Sequence, residues 1–382
     1  MTSIVFVSNF YNHHQRPLAN ELYKLTGGRF RFIERMEMPA SFKHSGYGEN
    51  ADSTIVIKSW ASEENKKLAD DIILNYDVLI NGGEDIFPLI NKRLKKGLIT
   101  FEVGERWFKK GYKNLLSPRL IKSQLYYHLN YYKRPYYHLN ASAYAANDLA
   151  FLHAFKNKMY KWGYFTEIPK DFDKECLLGD NEEPVKILYV ARFIGWKHPE
   201  LAIQMAENLT RKGLNFELRM YGNGPEWENI KNLIHSKNLQ DKVLLKGNLP
   251  NHLLMEEMKN HHIVISTSDR NEGWGAIINE AMGCKCAVVA SNEIGAVPYL
   301  IENGRTGFVF QRGDAEELSD IVESLILTPG KIREVGEAAY KMIKNEWSPA
   351  KAAENLLKLI DGLRTGKHSI LPEGPCSVAT PI

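Results

Sequence analysis

Short apolar, β-branched runs alternate along this chain with longer segments of helical periodicity, and the alternation occurs twice. Ile4–Ser8, Ser53–Ile57, Val78–Ile80 and Leu98–Phe101 read as strands in the first half. Val185–Ala191, Phe216–Tyr221, Val243–Lys246, Ile263–Thr267 and Ala287–Ala290 do so in the second. Helical patterns such as Glu200–Lys212, Trp227–Lys237 and Ala315–Leu327 lie between them. A strand that pairs in parallel with the next must return by a crossover, and a helix is the usual one. The expected fold class is therefore α/β, with two doubly wound, Rossmann-like domains facing a central cleft.

The chain's 382 residues are enough for two such cores. The break between them is a turn-rich stretch with Pro169, Gly179, Asp180, Asn181 and Pro184. The boundaries expected are a first domain over 1–168, a linker over 169–184, a second domain over 185–346 and a last helix over 347–365. Ser348 is placed to cap that helix and Pro349 to occupy its first turn. Residues 366–382 carry three prolines and little periodicity, so a loose tail is expected there.

No stretch approaches the roughly 18 apolar residues of a spanning helix. The N-terminus enters a strand with no basic segment and long apolar run before it. The four cysteines form no CxxC pair and read as reduced thiols. A cytoplasmic location is expected from these signs. Charge is nearly balanced overall at +3, yet Lys92–Arg134 holds twelve Lys or Arg against two Glu. Tyr126-Tyr127, Tyr131-Tyr132 and Tyr136-Tyr137 are interleaved with or flank it. The segment reads equally well as a solvated face with buried aromatics or as a surface for an anionic membrane or a phosphate-bearing acceptor. In the second case the protein would sit peripherally on the inner membrane face. Nucleic acid is not expected as a partner, because no binding module accompanies the charge.

The richest segment chemically is Glu272-Gly273-Trp274-Gly275-Ala276-Ile277, with Glu280 three residues further on. It follows a predicted strand and opens a helix. Glycines let backbone amides approach a ligand, and a helix start offers free N–H groups to a phosphate. Carboxylates beside a phosphate suit sugar or ribose hydroxyls; two surface glutamates on a capped helix are the plain alternative. Arg192 and Lys197 leave the end of another predicted strand, where two cations would suit a diphosphate. Gly222-Asn223-Gly224-Pro225 is a glycine turn after a third strand. No GxGxxG follows the first strand, which argues against a dinucleotide site.

The order Arg192…Lys197, Gly222-Asn223-Gly224-Pro225, Glu272 with Glu280, and Asn303-Gly304-Arg305-Thr306-Gly307-Phe308 resembles glycosyltransferase family 4, also called glycosyl transferases group 1. Gly295-Ala296-Val297-Pro298 and Trp347-Ser348 extend the resemblance over nearly the whole second half. It implies the GT-B fold, a first domain on the acceptor side, a second that binds a nucleotide sugar, and a last helix that crosses back to the first. It also implies a retaining, hexosyltransferase-type reaction by front-face attack. Arg192 and Lys197 would hold the donor diphosphate, Glu280 the ribose, and Glu272 the transferred sugar with the amides of Gly273 to Ala276. Lys246-Gly247-Asn248-Leu249 would lie beside the base. The expected substrates are a nucleotide-diphosphate sugar and a glycan or lipid-linked saccharide acceptor, in polysaccharide or glycolipid synthesis. No prosthetic group and no metal are expected. Asp171-Phe172-Asp173 is a literal DxD, but in the linker, and reads as chance.

The first half is less legible. Asn9–Pro17 lacks the glycines that relatives carry after the first strand; His13 and His14 in it are candidates for acceptor or donor contact, with ordinary polar loop contacts as the alternative, and they are not expected to be a metal pair because adjacent side chains diverge. Glu102 or Glu105 could accept a proton from the acceptor hydroxyl, or both could be helix-start carboxylates with Arg106 as ion-pair partner. Asn81-Gly82-Gly83-Glu84 marks another strand-end turn. Two other readings compete: a sugar-nucleotide epimerase on the same fold, and a non-catalytic binding partner.

Overall fold

The structure, a computed structural model, describes residues 2–39, 54–170, 183–366 and 371–382. Its chain divides into two units, Met1–Glu167 with Glu346–Ile382, and Ile168–Asn345. The first unit holds seven strands: β1 (Ile4–Ser8), β2 (Phe30–Glu34), β3 (Val56–Lys58), β4 (Val78–Asn81), β5 (Ile99–Gly104), β6 (Tyr136–Asn140) and β7 (Met159–Lys161). They lie in the order β3-β2-β1-β4-β5-β6-β7 and pair in parallel throughout. The second unit holds β8 (Val185–Val190), β9 (Phe216–Tyr221), β10 (Val243–Gly247), β11 (Ile263–Ser266), β12 (Ala287–Ser291) and β13 (Phe308–Phe310). Their order is β10-β9-β8-β11-β12-β13, again all parallel. β1, β4, β11 and β12 are buried at every residue, as parallel strands covered on both faces must be.

Four strands are absent from the sequence reading. β2, Phe-Arg-Phe-Ile-Glu, carries two charges in five residues, and β7 and β13 have only three residues each. β6, Tyr-Tyr-His-Leu-Asn, adjoins the basic tyrosine-rich stretch, whose composition obscures it. The Asp171-Phe172-Asp173 motif, Cys176 and most of the expected linker lie outside the described residues.

Two expectations need correction. The chain end is not loose: Cys376 N donates to Lys161 O at 2.7 Å, Lys161 N to Ser377 O at 2.8 Å and Ala379 N to Met159 O at 3.0 Å. The backbone therefore satisfies the open edge of β7, and Cys376 and Ser377 become buried. Nor is every cation of Lys92–Arg134 on the surface. Arg93 is fully buried and donates to the carbonyls of Tyr76 at 2.7 Å, Ile99 at 3.1 Å and Asp77 at 3.3 Å. It ties a helix to the sheet, and burial pushes its guanidinium down to about 10.

The last helix, Pro349–Arg364, packs on the helix Arg16–Leu25 within the first unit. Ser348 Oγ caps it by accepting from Lys351 N at 3.2 Å. Among the described residues, Cys284, Cys286 and Cys376 are buried, and no helix is long and apolar enough to cross a membrane.

Candidate active site

In the second unit the strand order reverses between β8 and β11, which are neighbours. Loops leaving the carboxyl ends of two such strands diverge to opposite faces and open a crevice between them. Arg192 to Lys197 follow β8, and Glu272 to Gly275 follow β11. The two motifs, far apart in sequence, are thus delivered to one place by topology.

The Lys197 ammonium and the Glu272 carboxylate form an ion pair, with both side chains only about one-seventh exposed at 14% and 16%. Ser268 Oγ also donates to Glu272 Oε2, at 3.3 Å. The lysine is positioned through its backbone: Thr267 Oγ1 and Tyr189 Oη both donate to Lys197 O, at 2.7 Å and 3.1 Å. Its ammonium lies 4.6 Å from the Trp196 ring centroid, a cation–π contact. Arg192 is exposed, but its loop is latched. Ala191 N donates to Tyr221 O at 3.1 Å and Phe193 N to Asn223 O at 2.9 Å. Parallel pairing therefore runs on past β8 and β9 and sets Gly222 and Asn223 beside the arginine. Gly222 N in turn donates to Gly247 O at 2.8 Å, which brings the turn before Leu249 alongside.

Gly275 caps the helix Ala276–Gly283 with φ at 91°, and a Cβ there would lie 2.7 Å from Ile294 Cγ2. Only glycine fits both constraints. The first amides of that helix, at Ala276 and Ile277, have no carbonyl partner within it, so this end offers donors to an anion. Glu280, buried one turn into the helix, accepts from Asn251 Nδ2 at 3.0 Å. Trp274 is buried completely and its indole N–H donates to Asn279 Oδ1 at 2.8 Å. Its ring is core, so only the backbone of Gly273 and Trp274 is left to meet a ligand.

In the first unit, His13 and His14 do not diverge as adjacent side chains usually do. Their rings lie 4.0 Å apart, because the tight turn that starts the following helix folds them together. Glu102 sits on β5 rather than at a helix start. Burial pushes its carboxyl up to about 7, opposed by hydrogen bonds from Asn81 Nδ2 at 2.8 Å and Tyr136 Oη at 3.1 Å. Glu105 pairs with Lys109 and accepts from Tyr164 Oη at 2.8 Å. Arg106 lies 4.8 Å from the Tyr144 ring centroid. Ser268, Asn251 and Tyr136 were not among the sequence candidates. The signal for Asn251 is its place after Pro250 at a helix start; Tyr136 gives none, since its partner Glu102 lies 34 residues away.

Glu102 has a measurable consequence. A carboxyl whose folded pKa is raised takes up protons on folding, so its favourable contribution is whole below the ordinary 4.5 and is lost as pH rises through about 7. Glu102→Gln keeps an acceptor for Asn81 and Tyr136 without the charge. It is expected to raise the unfolding free energy at about pH 8 by at most about 3 kcal/mol, and to change nothing near pH 4.5. Melts across that range check this; an equal effect at both ends would mean the carboxyl is not shifted.

The fold is that of the GT-B glycosyltransferases. Over 96% of this chain and 100% of the other, it superposes on the HepE protein of Anabaena, solved with UDP and glucose, at a TM-score of 0.69 and 15% identity. Residues 175–342 match the family model of glycosyl transferases group 1. In sequence, 47% of the chain is 29% identical, over 178 residues, to alpha-D-kanosaminyltransferase of Streptomyces kanamyceticus. A further match, 28% over 195 residues and 50% of the chain, is to poly(ribitol-phosphate) alpha-N-acetylglucosaminyltransferase of Staphylococcus aureus. The chain spans less than half the length of these two relatives, 45% and 37%. The epimerase alternative finds no support among them.

Proposed function

We propose that the protein is a retaining glycosyltransferase of the hexosyltransferase type. It moves a sugar from a nucleotide-diphosphate sugar to a glycan or a lipid-linked saccharide, in polysaccharide or glycolipid synthesis. The observation that supports this reading is the Lys197–Glu272 ion pair at the β8/β11 switch point, with Arg192 in the loop after β8 and Glu280 on the helix that follows β11. Arg192 and Lys197 stabilise the negative charge that grows on the departing diphosphate. Lys197 must then exchange part of its contact with Glu272 for phosphate oxygens. Glu272, so released, accepts hydrogen bonds from the hydroxyls of the transferred sugar, while Glu280 accepts those of the ribose. Amides of Gly273 to Ile277 approach the donor, and Gly222, Asn223 and Leu249 flank the nucleotide. The two relatives named above are both sugar transferases with α in their names, which supports retention and a glycan-like acceptor. HepE, with its UDP and glucose, supports a uridine donor as the first to try. On the acceptor side, His13, His14, Glu105 and Arg106 bind hydroxyls, and Glu102 is the candidate proton acceptor. An anionic membrane bearing the acceptor is the partner of the basic surface on the first unit.

The test is incubation with UDP- and GDP-sugars, with and without saccharide or lipid-linked acceptors, preceded by thermal shifts. A bound nucleoside diphosphate raises the melting temperature according to its occupancy. No shift with any of them would sink the reading. With two cations supplied by the chain, transfer is also expected to survive exhaustive chelation. Loss in EDTA that Mg²⁺ or Mn²⁺ restores would overturn that expectation and return attention to Asp171 and Asp173.

A further inference from the structure

The stretch Arg106–Arg134 contains eight Lys or Arg and no Asp or Glu. It folds as a 3₁₀ turn Gly111–Leu116, a helix Pro118–Tyr126 and a π turn Tyr127–Tyr131. The inner side is ordinary core, with Leu120, Tyr127 and Tyr131 buried. The outer side is not ordinary. Ile121, Leu125 and Leu129 follow each other at helical spacing and are 46%, 55% and 74% exposed; Leu116, the last residue of the preceding 3₁₀ turn, is 81% exposed. Water-facing helical positions normally carry polar residues, and a row of large apolar ones marks a surface that something else covers. The row continues sideways. The ring of exposed Tyr112 lies 5.3 Å from that of exposed Phe151, and His128 Nε2 bonds Leu152 O at 3.2 Å. Among the described residues, Lys110, Lys113, Lys133 and Arg134, at both ends of the row, have no carboxylate partner.

We propose that this face inserts its apolar row into the headgroup boundary of an anionic bilayer, with the flanking cations on the lipid phosphates. This deepens the membrane part of the reading above: attachment is hydrophobic as well as electrostatic, and it needs neither donor nor acceptor. Charge selects the occupant. A second copy would bring an equally basic face, with no carboxylate in the stretch to meet it. Apolar side chains rimmed by Lys and Arg are what an interfacial helix presents to lipid. An attraction from cations alone would be screened over about 8–10 Å at physiological ionic strength, whereas insertion persists.

The experiment is vesicle co-sedimentation of the full chain at low and high salt, without nucleotide sugar. Vesicles are phosphatidylcholine alone or with phosphatidylglycerol. The variants are Ile121→Ser/Leu125→Ser/Leu129→Ser, Leu116→Ser alone, and Lys110→Ser/Lys113→Ser/Lys133→Ser. All replaced side chains are exposed, so thermal melts should match wild type. Wild type is expected to bind vesicles containing phosphatidylglycerol and to retain part of that binding at high salt. The triple apolar variant should lose about 100-fold in partitioning, Leu116→Ser less, and the lysine variant chiefly its low-salt binding. Binding that salt abolishes and that the apolar variants keep would leave only electrostatic attachment and overturn insertion. Absence of vesicle binding overturns the proposal; a self-associating wild type that the triple variant converts to monomer would assign the row to a second copy. Transfer to a water-soluble acceptor, measured separately, tests the catalytic reading and is untouched by either result.

Discussion

Arg192→Ala and Lys197→Ala are each expected to lower kcat for sugar transfer on the order of 10²-fold or more, the usual cost of removing a preorganised charge from a developing oxyanion. The two variants should differ in stability. Arg192 is exposed, and among the described residues it has no carboxylate partner, so its loss should leave the melting temperature unchanged. Lys197 neutralises Glu272 in a largely buried pair, so its loss leaves a carboxylate without its counter-ion and should lower the melting temperature as well. Lys197→Ala/Glu272→Gln should recover the stability but not the activity. Near-normal kinetics in both folded single variants would remove these residues from the mechanism.

Gly222→Ala is expected to destabilise the fold by about 3 kcal/mol or more. Gly222 has φ at 137°, which side-chain-bearing residues rarely adopt, and a Cβ there would lie 1.8 Å from the Ala191 carbonyl oxygen. That oxygen belongs to backbone held in the β8–β9 pairing, so it cannot move aside without releasing the Arg192 loop. Gly195→Ala is the matched control. It lies in the same loop, but a Cβ there would meet nothing within 4 Å, and the change should stay within about 0.5 kcal/mol. Equal melting temperatures for the two variants would show that the close approach is not what glycine provides at 222.

The legible parts of this protein are those written in local pattern. Ile4–Ser8 and Phe216–Tyr221 coincide with β1 and β9, and Ala315–Leu327 with its helix, because side-chain periodicity is set by the backbone of the element itself. Ser348 as a cap is local too: its hydroxyl needs only the amide three residues on. Gly222 and the segment from Glu272 to Glu280 stand out because each follows a strand end, where a parallel sheet gathers its loops.

Tertiary structure decided what depends on distant partners. Arg93 looks like one more surface cation until carbonyls from residues 76, 77 and 99 converge on it. The chain end looks loose until the open edge of β7 takes up its backbone. Glu102 looks like an ordinary carboxylate until Tyr136, 34 residues away, closes over it. Lys197 and Glu272 are 75 residues apart, and composition says only that both charges exist. The sequence by itself determined two parallel sheets and placed the candidate motifs at strand ends, because periods of 2 and 3.6 residues are local. The strand order determined which of those ends are neighbours, and so made an ion pair of two separate motifs, because a hydrogen-bond ladder joins residues without regard to their separation in the chain.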